Sequence, residues 1–147
     1  MKKTAFVLFC LSILSSVSSF AFQGDLDQGI YELNRGAFKA AINEFEPLVA
    51  QEYSPAQYQM ALIYLNGYGT KKDPDKAFEL LSLSASQNYP DALFSLSLMY
   101  SEGEIVDKDL KTAFALMERA AIKNLVGAQF NLGVMYFNGT GTYKDYK

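Results

Sequence analysis

The 147-residue chain contains no histidine, no tryptophan and one cysteine, Cys10. Without histidine it lacks the side chain that most often moves protons near neutral pH, and also the commonest metal ligand. With one cysteine it cannot form an internal disulfide, so packing has to hold the fold together. These absences argue against histidine-based acid–base enzymes, histidine-ligated metal sites and disulfide-rich secreted domains.

Residues 1–21 have the pattern of a cleaved secretory signal peptide. Lys2 and Lys3 begin it, an apolar run follows at 5–14, and Ser19 and Ala21 occupy the −3 and −1 positions of a cleavage site. An uncleaved membrane anchor is the alternative, but serines shorten the apolar run well below the ~20 residues that a membrane-spanning helix needs. We therefore predict a protein that is periplasmic or secreted.

Cleavage after Ala21 leaves 126 residues, enough for one domain with its own core. Two lysines leave with the signal, so 11 basic and 16 acidic residues remain and the net charge is −5. The remaining basic residues are scattered and form no stripe, which argues against a nucleic-acid partner. After cleavage we expect no integral membrane segment.

A 36-residue period runs through the mature chain. Four positions recur in three units without insertion: Ala56, Ala92 and Ala128; Tyr64, Tyr100 and Tyr136; Gly67, Gly103 and Gly139; Asp73, Asp109 and Asp145. A fixed period of ~20–50 residues is the signature of a stacked repeat protein. Such units bury their apolar faces only against their neighbours, so we predict a solenoid whose extended surface binds a partner.

Each unit is predicted to fold as two α-helices joined by a loop, which gives an all-α right-handed solenoid. The first helices span 56–66, 92–102 and 128–138, where apolar residues follow the i, i+3, i+4 spacing. The N-terminal unit is a shorter variant with helices at 25–34 and 38–51, and Pro47 should kink or split the second of these. The predicted boundaries are 25–54 for the N-terminal unit, 55–90 for repeat 1, 91–126 for repeat 2 and 127–147 for a partial repeat 3.

Glycine, aspartate and asparagine mark the predicted helix ends. Gly67 and its counterparts supply the left-handed conformation that ends a first helix. Asp73, followed by Pro74, is a good N-cap for a second helix, as are the aspartates in frame with it. Asn88 and Asn124 close the second helices, because asparagine tolerates the left-handed conformation best after glycine.

These recurring residues resemble the Sel-one-like repeat, a relative of the tetratricopeptide repeat. The third unit fits the family pattern A-Q-x-x-L-G-x-x-Y-x-x-G-x-G best, through Ala128, Gln129, Leu132, Gly133, Tyr136, Gly139 and Gly141. The N-terminal unit resembles a tetratricopeptide unit through Gly29, Gly36, Phe38, Ala41 and Phe45. The resemblance covers about residues 25–145, nearly the whole mature chain.

The resemblance implies an adaptor or scaffold that binds proteins or peptides. In exported bacterial members it implies envelope assembly, envelope-stress signalling or contact with a host. One departure is Ile105, which replaces the second loop glycine and predicts a loop of another shape. The cysteine-rich branch of the family carries a disulfide in each repeat, and its properties should not be transferred to a mature chain without cysteine.

The motifs that could indicate phosphate binding, metal binding or acid–base catalysis are weak. We therefore predict no catalytic residue, cofactor or metal ion. The sequence Gly67-Tyr68-Gly69 follows a helix, whereas a phosphate-binding glycine loop follows a strand. In-register aspartates of stacked units lie at helix-packing distances of about 8–10 Å, too far apart to share one ion. The glutamates at 44 and 46, and those at 102 and 104, have no second catalytic element beside them.

The candidate partner-binding residues recur in frame on the first helices. The aromatic series is Tyr58, Phe94 and Phe130, which we expect to be inter-repeat core, with a partly exposed groove wall as the alternative. The polar candidates are Gln59, Ser95 and Asn131, followed by Asn66, Glu102 and Asn138. In the tetratricopeptide family the first helices line the concave face, which makes these polar residues the better candidates for groove contacts.

Other functions stay open at this point. A structural subunit of a cell-envelope complex is the second possibility, and a hydrolase is the least favoured. The third unit has a first helix but no second helix within the sequence, so its apolar residues predict a contact surface for a second copy of the chain or for the partner. The alternative is that the sequence is part of a longer repeat array.

Export gives the first testable prediction. We expect the protein isolated from the producing cell to begin at Phe22 and to lie outside the cytoplasm, because signal peptidase removes residues 1–21. Intact-mass measurement of fractionated cells checks both points. A cytosolic species that retains Met1 would contradict the prediction.

Overall fold

The computed structural model describes residues 24–142, and within that range the chain forms seven α-helices and no strand. The predicted signal peptide and Asp145 lie outside the described residues. In chain order the helices are α1 Leu26–Asn34, α2 Phe38–Ala50, α3 Ser54–Asn66, α4 Pro74–Ser86, α5 Pro90–Glu102, α6 Leu110–Ile122 and α7 Val126–Asn138.

Each helix packs against the next one in sequence, as expected of stacked hairpins. The pairs α1–α2, α3–α4 and α5–α6 are hairpins, and α7 packs on α6. We call α1, α3, α5 and α7 the first helices and α2, α4 and α6 the second helices. The predicted all-α solenoid is confirmed. No helix of residues 24–142 combines the length and apolarity needed to cross a membrane.

The first helices begin earlier than predicted. In each of the three repeats the helix starts two residues before the repeating alanine, at Ser54, Pro90 and Val126. Proline fits the first turn of a helix because its missing N–H has no intrahelical partner there, and Pro55 and Pro90 both occupy that turn. The predicted C-terminal ends are confirmed, since the glycines that follow adopt φ values of +73°, +76° and +70°.

The prediction that Pro47 splits the second N-terminal helix is wrong. α2 runs as one helix from Phe38 to Ala50 with Pro47 inside it. Pro47 lies in the last turn, where a proline removes one backbone hydrogen bond close to the helix end. Its carbonyl accepts from the backbone N–H of Gln51 at 3.2 Å and from the Gln51 side-chain amide at 3.0 Å.

The second helices α4 and α6 are capped as predicted. The Asp73 carboxylate accepts a hydrogen bond from the backbone N–H of Lys76 at 3.0 Å. Asp109 accepts from the backbone N–H groups of Lys111 and Thr112 at 3.0 and 3.1 Å, and from the Thr112 hydroxyl at 2.6 Å. These bonds satisfy amides that the first turn of a helix leaves without partners.

The turns after the second helices also repeat. Asn88 and Asn124 have φ values of +62° and +63°, which confirms the predicted left-handed conformation. Glu52 has the same conformation, with φ of +58°, 36 residues before Asn88. Arg119 of α6 reaches back to the turn at Asn88 and donates to the Ala85 carbonyl at 3.1 Å and to the Asn88 side-chain oxygen at 2.8 Å.

The core is built around small residues at equivalent positions. Six fully buried alanines recur at equivalent positions, three on first helices (Ala56, Ala92, Ala128) and three on second helices (Ala41, Ala77, Ala113). Alanine at a helix contact lets two backbones approach closely. The close approach of α5 and α6 allows the buried hydroxyl of Ser97 to donate to the Ala113 carbonyl of α6 at 2.6 Å.

Aromatic pairs join α4 to α5 and α6 to α7. Phe78 of α4 meets Tyr100 of α5 with ring centroids 6.0 Å apart, and Phe114 of α6 meets Tyr136 of α7 at 5.1 Å. Both pairs are edge-to-face, the arrangement that aromatic quadrupoles favour. The 36-residue period therefore repeats contacts between units as well as local structure.

The cap of α6 gives a stability prediction. Asp109→Ala should lower the midpoint of thermal unfolding, because α6 loses acceptors for two backbone N–H groups. Asp109→Asn should retain most of the stability, since asparagine caps nearly as well. Circular dichroism melts of both variants check this, with Asp107→Ala as the control at an exposed loop carboxylate.

The same cap predicts a pH dependence. The hydroxyl of Thr112, more than the backbone amides, lowers the pKa of the Asp109 carboxyl. A carboxyl whose pKa is lower in the folded state stabilises the fold above its unfolded pKa of about 3.9, and this contribution is lost as the pH falls through the folded pKa. The difference in melting midpoint between wild type and Asp109→Ala should therefore shrink below about pH 4. A difference that stays constant on acidification would contradict this account.

Candidate partner-binding face

One face of the first helices carries the predicted polar candidates in a continuous stripe. We define the first-helix stripe by the i, i+3, i+7 positions of three helices: Gln59, Leu62 and Asn66 of α3, Ser95, Leu98 and Glu102 of α5, and Asn131, Val134 and Asn138 of α7. Residues at this spacing share one helix face. None of the nine is buried, and Asn66, Glu102 and Asn138 are exposed. The structure therefore brings the six polar candidates together on an accessible surface.

The middle row of the stripe is apolar, which the sequence analysis missed. Leu62 and Leu98 are partly exposed and Val134 is 41% exposed. These aliphatic residues recur in register, one on the first helix of each repeat. The available signal was their 36-residue recurrence at positions that the helical period places between the polar candidates.

Two asparagines at the edges of the stripe are held by their own helices. The Asn66 side-chain amide donates to the Leu62 carbonyl at 2.8 Å, and that of Asn131 donates to the Gly127 carbonyl at 2.8 Å. Each bond fixes the amide group and leaves its oxygen able to accept a hydrogen bond from a ligand. The stripe thus combines an aliphatic middle with fixed polar groups at its edges.

The aromatic candidates have different environments. Tyr58 and Phe94 are partly buried against the core, which agrees with the expectation of inter-repeat packing. Tyr58 lies 5.5 Å from Tyr89 between ring centroids, and burial raises the pKa of its hydroxyl. Burial also raises the pKa of Tyr89, followed in size by the effect of the Asp91 charge.

Phe130 contradicts the expectation of a core position, since its side chain is 73% exposed. The equivalent ring of Phe94 faces the start of the following first helix, at Gly127. No helix follows α7 within residues 24–142, so Phe130 has no such cover there. Sequence comparison among the units could not show this difference, because the residue type is the same at both positions.

α7 presents further apolar surface around Phe130. Val126 and Phe137 are 76% and 72% exposed. Gly133 is equivalent to the fully buried Ala61 and Ser97, yet a Cβ placed on it would meet no atom within 4 Å beyond its own helix backbone and chain neighbours. The second helices α4 and α6 cover the equivalent faces of α3 and α5. This face of α7 is therefore exposed to solvent near the N-terminal end, in the middle and near the C-terminal end of the helix.

A cavity of about 260 Å³ opens between α3 and α5. Its lining consists of Leu65, Ser95, Leu98, Met99, Glu102 and Ile105. Four of these side chains are apolar, Ser95 supplies a hydroxyl and Glu102 supplies a carboxylate. Three of them belong to the first-helix stripe, so the cavity is a recess in that surface.

Ile105 forms part of this cavity because its loop differs from the others, as predicted. The glycines at the equivalent positions, Gly69 and Gly141, have φ values of +68° and +71°, whereas Ile105 is not in the left-handed region. A Cβ at Gly69 would lie 2.7 Å from the Cβ of Phe38, so that loop packs directly on the preceding unit. Ile105 instead places a branched side chain, partly buried, in the wall between α3 and α5.

Other candidate sites add little to this surface. Within the described range there is no group of three acidic, cysteine or histidine side chains placed to hold a metal ion. The glycine loop at 67–69 follows helix α3, and Tyr68 in it stacks on Phe38 with ring centroids 4.7 Å apart. A cavity of about 410 Å³ beside Leu110 and Gly141 borders the limit of the described residues.

Known structures share this architecture. A Sel1 repeat protein from Oxalobacter formigenes matches with a TM-score of 0.78 and 27% identity, over 84% of this chain and 51% of that one. A protective antigen present in uropathogenic Escherichia coli strains, described as displaying an SLR fold, matches with a TM-score of 0.75 and 30% identity, over 82% of this chain and 27% of the antigen. The chain thus spans between about a quarter and a half of the length of these relatives. No curated protein gives a significant match.

The repeating units themselves are identified by their sequence. The Sel1 repeat family model matches residues 54–89, 90–125 and 126–147, which together make up more than half of the chain. Proteins built from this repeat are generally scaffolds for protein interactions, and the fold is typically non-catalytic. The repeat match and the structural matches agree, and the chain belongs to the Sel1 repeat family.

Proposed function

We propose that the protein is an exported adaptor that binds a protein or peptide partner through the first-helix stripe. The observation that carries the proposal is the row Leu62, Leu98 and Val134, which remains accessible to solvent at equivalent positions of three successive first helices, α3, α5 and α7. Aliphatic residues aligned across stacked units offer a partner a continuous apolar strip. Polar groups on both sides can fix the orientation of the bound segment.

Export rests on the signal-peptide pattern of residues 1–21. Envelope assembly, envelope-stress signalling and host contact are the settings in which such an adaptor would act.

The stripe is tested by site-specific crosslinking in the producing cell. A photoreactive p-benzoylphenylalanine at Gln59 or Asn66 should give a discrete crosslinked adduct, because both positions lie on the stripe. The matched controls are Leu83 of α4 and Ala115 of α6, exposed positions on second helices. Mass spectrometry of the adduct identifies the partner. Adducts that form only from Leu83 and Ala115, or equally from all four positions, would contradict binding through the stripe.

A second candidate function is that of a structural subunit that associates through α7. The supporting observation is the exposure of Val126, Phe130 and Phe137 on a helix without any charged residue. Two such faces can pack against each other about a twofold axis, where each copy contributes the same patch and no like charges meet. The opposite end of the solenoid does not match this surface, since α1 exposes Asp27, Gln28 and Asn34.

Self-association gives a separate prediction. The chain that begins at Phe22 should form dimers as its concentration rises from micromolar to millimolar, and Phe137→Glu should weaken the dimer by placing a charge in the apolar contact. Light scattering measures the mass, and Tyr31→Glu at an exposed position of α1 is the control. A monomer throughout this range, with the amides of α7 protected from hydrogen exchange, would exclude association through this helix.

A further inference from the structure

We infer that the partner segment carries a lysine or arginine whose side chain enters the cavity between α3 and α5 and whose charge meets Glu102. The inference rests on the proposed function, because it specifies what the first-helix stripe selects. Charge is distributed unevenly between the first helices and the rest of the described residues.

Basic residues are absent from all four first helices. α3 and α7 contain no charged residue, α5 contains Asp91 and Glu102, and α1 contains Asp27 and Glu32. The lysines and arginines of residues 24–142 lie on second helices and connecting segments. The net charge of the mature chain is also negative. A surface lined by one sign of charge attracts the opposite sign and repels its own.

Among residues 24–142, no cation pairs with Glu102. The ion pair identified in this part of the chain joins Arg35 and Glu32 on the N-terminal unit, and no hydrogen bond or ion pair with another described residue holds the Glu102 carboxylate. A peptide that packed an uncharged apolar side chain against this carboxylate would remove water from it without replacing the lost hydrogen bonds, which is unfavourable. A cationic group restores those bonds.

The lining of the cavity matches the two parts of a basic side chain. Leu65, Leu98, Met99 and Ile105 present apolar walls, and Ser95 and Glu102 present oxygen atoms. Lysine and arginine bury an aliphatic stem along apolar surface while the charged head stays at a polar group. A purely aliphatic side chain would leave the Glu102 carboxylate without a hydrogen-bond donor, and an acidic side chain would be repelled by it.

Ile105 restricts this arrangement to the second repeat. Loops 67–69 and 139–141 carry glycine at the equivalent position, so they contribute no side chain there. The residues equivalent to Glu102 are Asn66 and Asn138, which are uncharged. The apolar wall and the carboxylate therefore occur together in the second repeat. This repeat is where the basic side chain binds along the stripe.

The test is a selection of random linear nine-residue peptides displayed on phage. Immobilised wild-type protein should enrich peptides in which lysine or arginine stands beside aliphatic residues. Glu102→Gln should lose that enrichment, whereas Glu104→Gln should keep it, because Glu104 lies two residues away in the loop and does not line the cavity. The two variants change the net charge equally, so a general electrostatic effect would alter both selections alike.

A synthetic peptide from the wild-type selection then gives the magnitude. Its Kd, measured by fluorescence anisotropy, should rise by about three- to fivefold in Glu102→Gln, since a partly exposed ion pair contributes up to ~1 kcal/mol. Glu104→Gln should stay within about twofold of wild type, and added salt should weaken the wild-type complex more than the Glu102→Gln complex. Unchanged circular dichroism spectra show that both variants are folded.

The outcomes separate the two proposals. Selected peptides that crosslink to residue 59 but lack basic residues, or that bind Glu102→Gln as tightly as wild type, overturn the inference and leave the adaptor function in place. Failure to select any peptide also overturns the inference, while the crosslinks formed in the cell decide the adaptor function separately. Selected peptides that crosslink only to α4 and α6 contradict the proposed binding face itself.

Discussion

The fold depends on close packing between helices that meet at alanine. Ala56, Ala92 and Ala128 on the first helices, and Ala41, Ala77 and Ala113 on the second helices, are fully buried at 36-residue intervals. Because no side chain larger than a methyl group separates the helices at these points, polar groups can also meet there, as Ser97 does with the Ala113 carbonyl. A larger residue at one of these positions would separate two backbones and also break the contacts that their neighbours make. The same packing holds the three first helices that carry the candidate partner-binding face in register.

Much of the fold could be predicted from the sequence because its determinants are local and repeated. The N-caps Asp73 and Asp109, the left-handed glycines and the left-handed asparagines each depend on a few neighbouring residues, and each recurs in frame. The errors arose where context overrides a local rule. Pro47 is tolerated within the last turn of α2, and the first helices of the repeats begin two residues earlier than predicted, with a proline suited to the first turn in α3 and α5.

The candidate surface was predicted only in part. The polar residues of the stripe recur in frame and can be predicted for that reason. The apolar row between them also recurs in frame, but nothing in the sequence distinguishes these residues from core residues. Whether Leu98 faces the core or the solvent depends on the placement of the neighbouring hairpins, which no local pattern contains. The cavity beside Glu102 has the same origin, since it needs residues of α3, α5 and the loop that follows α5. The departure at Ile105 predicted a different loop without indicating where its side chain would pack.

The contact between Arg119 and the turn at Asn88 bears on how proteins of this kind can change in length. It joins residues 31 positions apart, and the ring pairs Phe78–Tyr100 and Phe114–Tyr136 each span 22 positions. Gain or loss of a whole 36-residue unit preserves every such offset, whereas an insertion of a few residues within a helix changes the offset of every contact pair that spans the insertion. Duplication by whole units is therefore the least disruptive route to a longer solenoid.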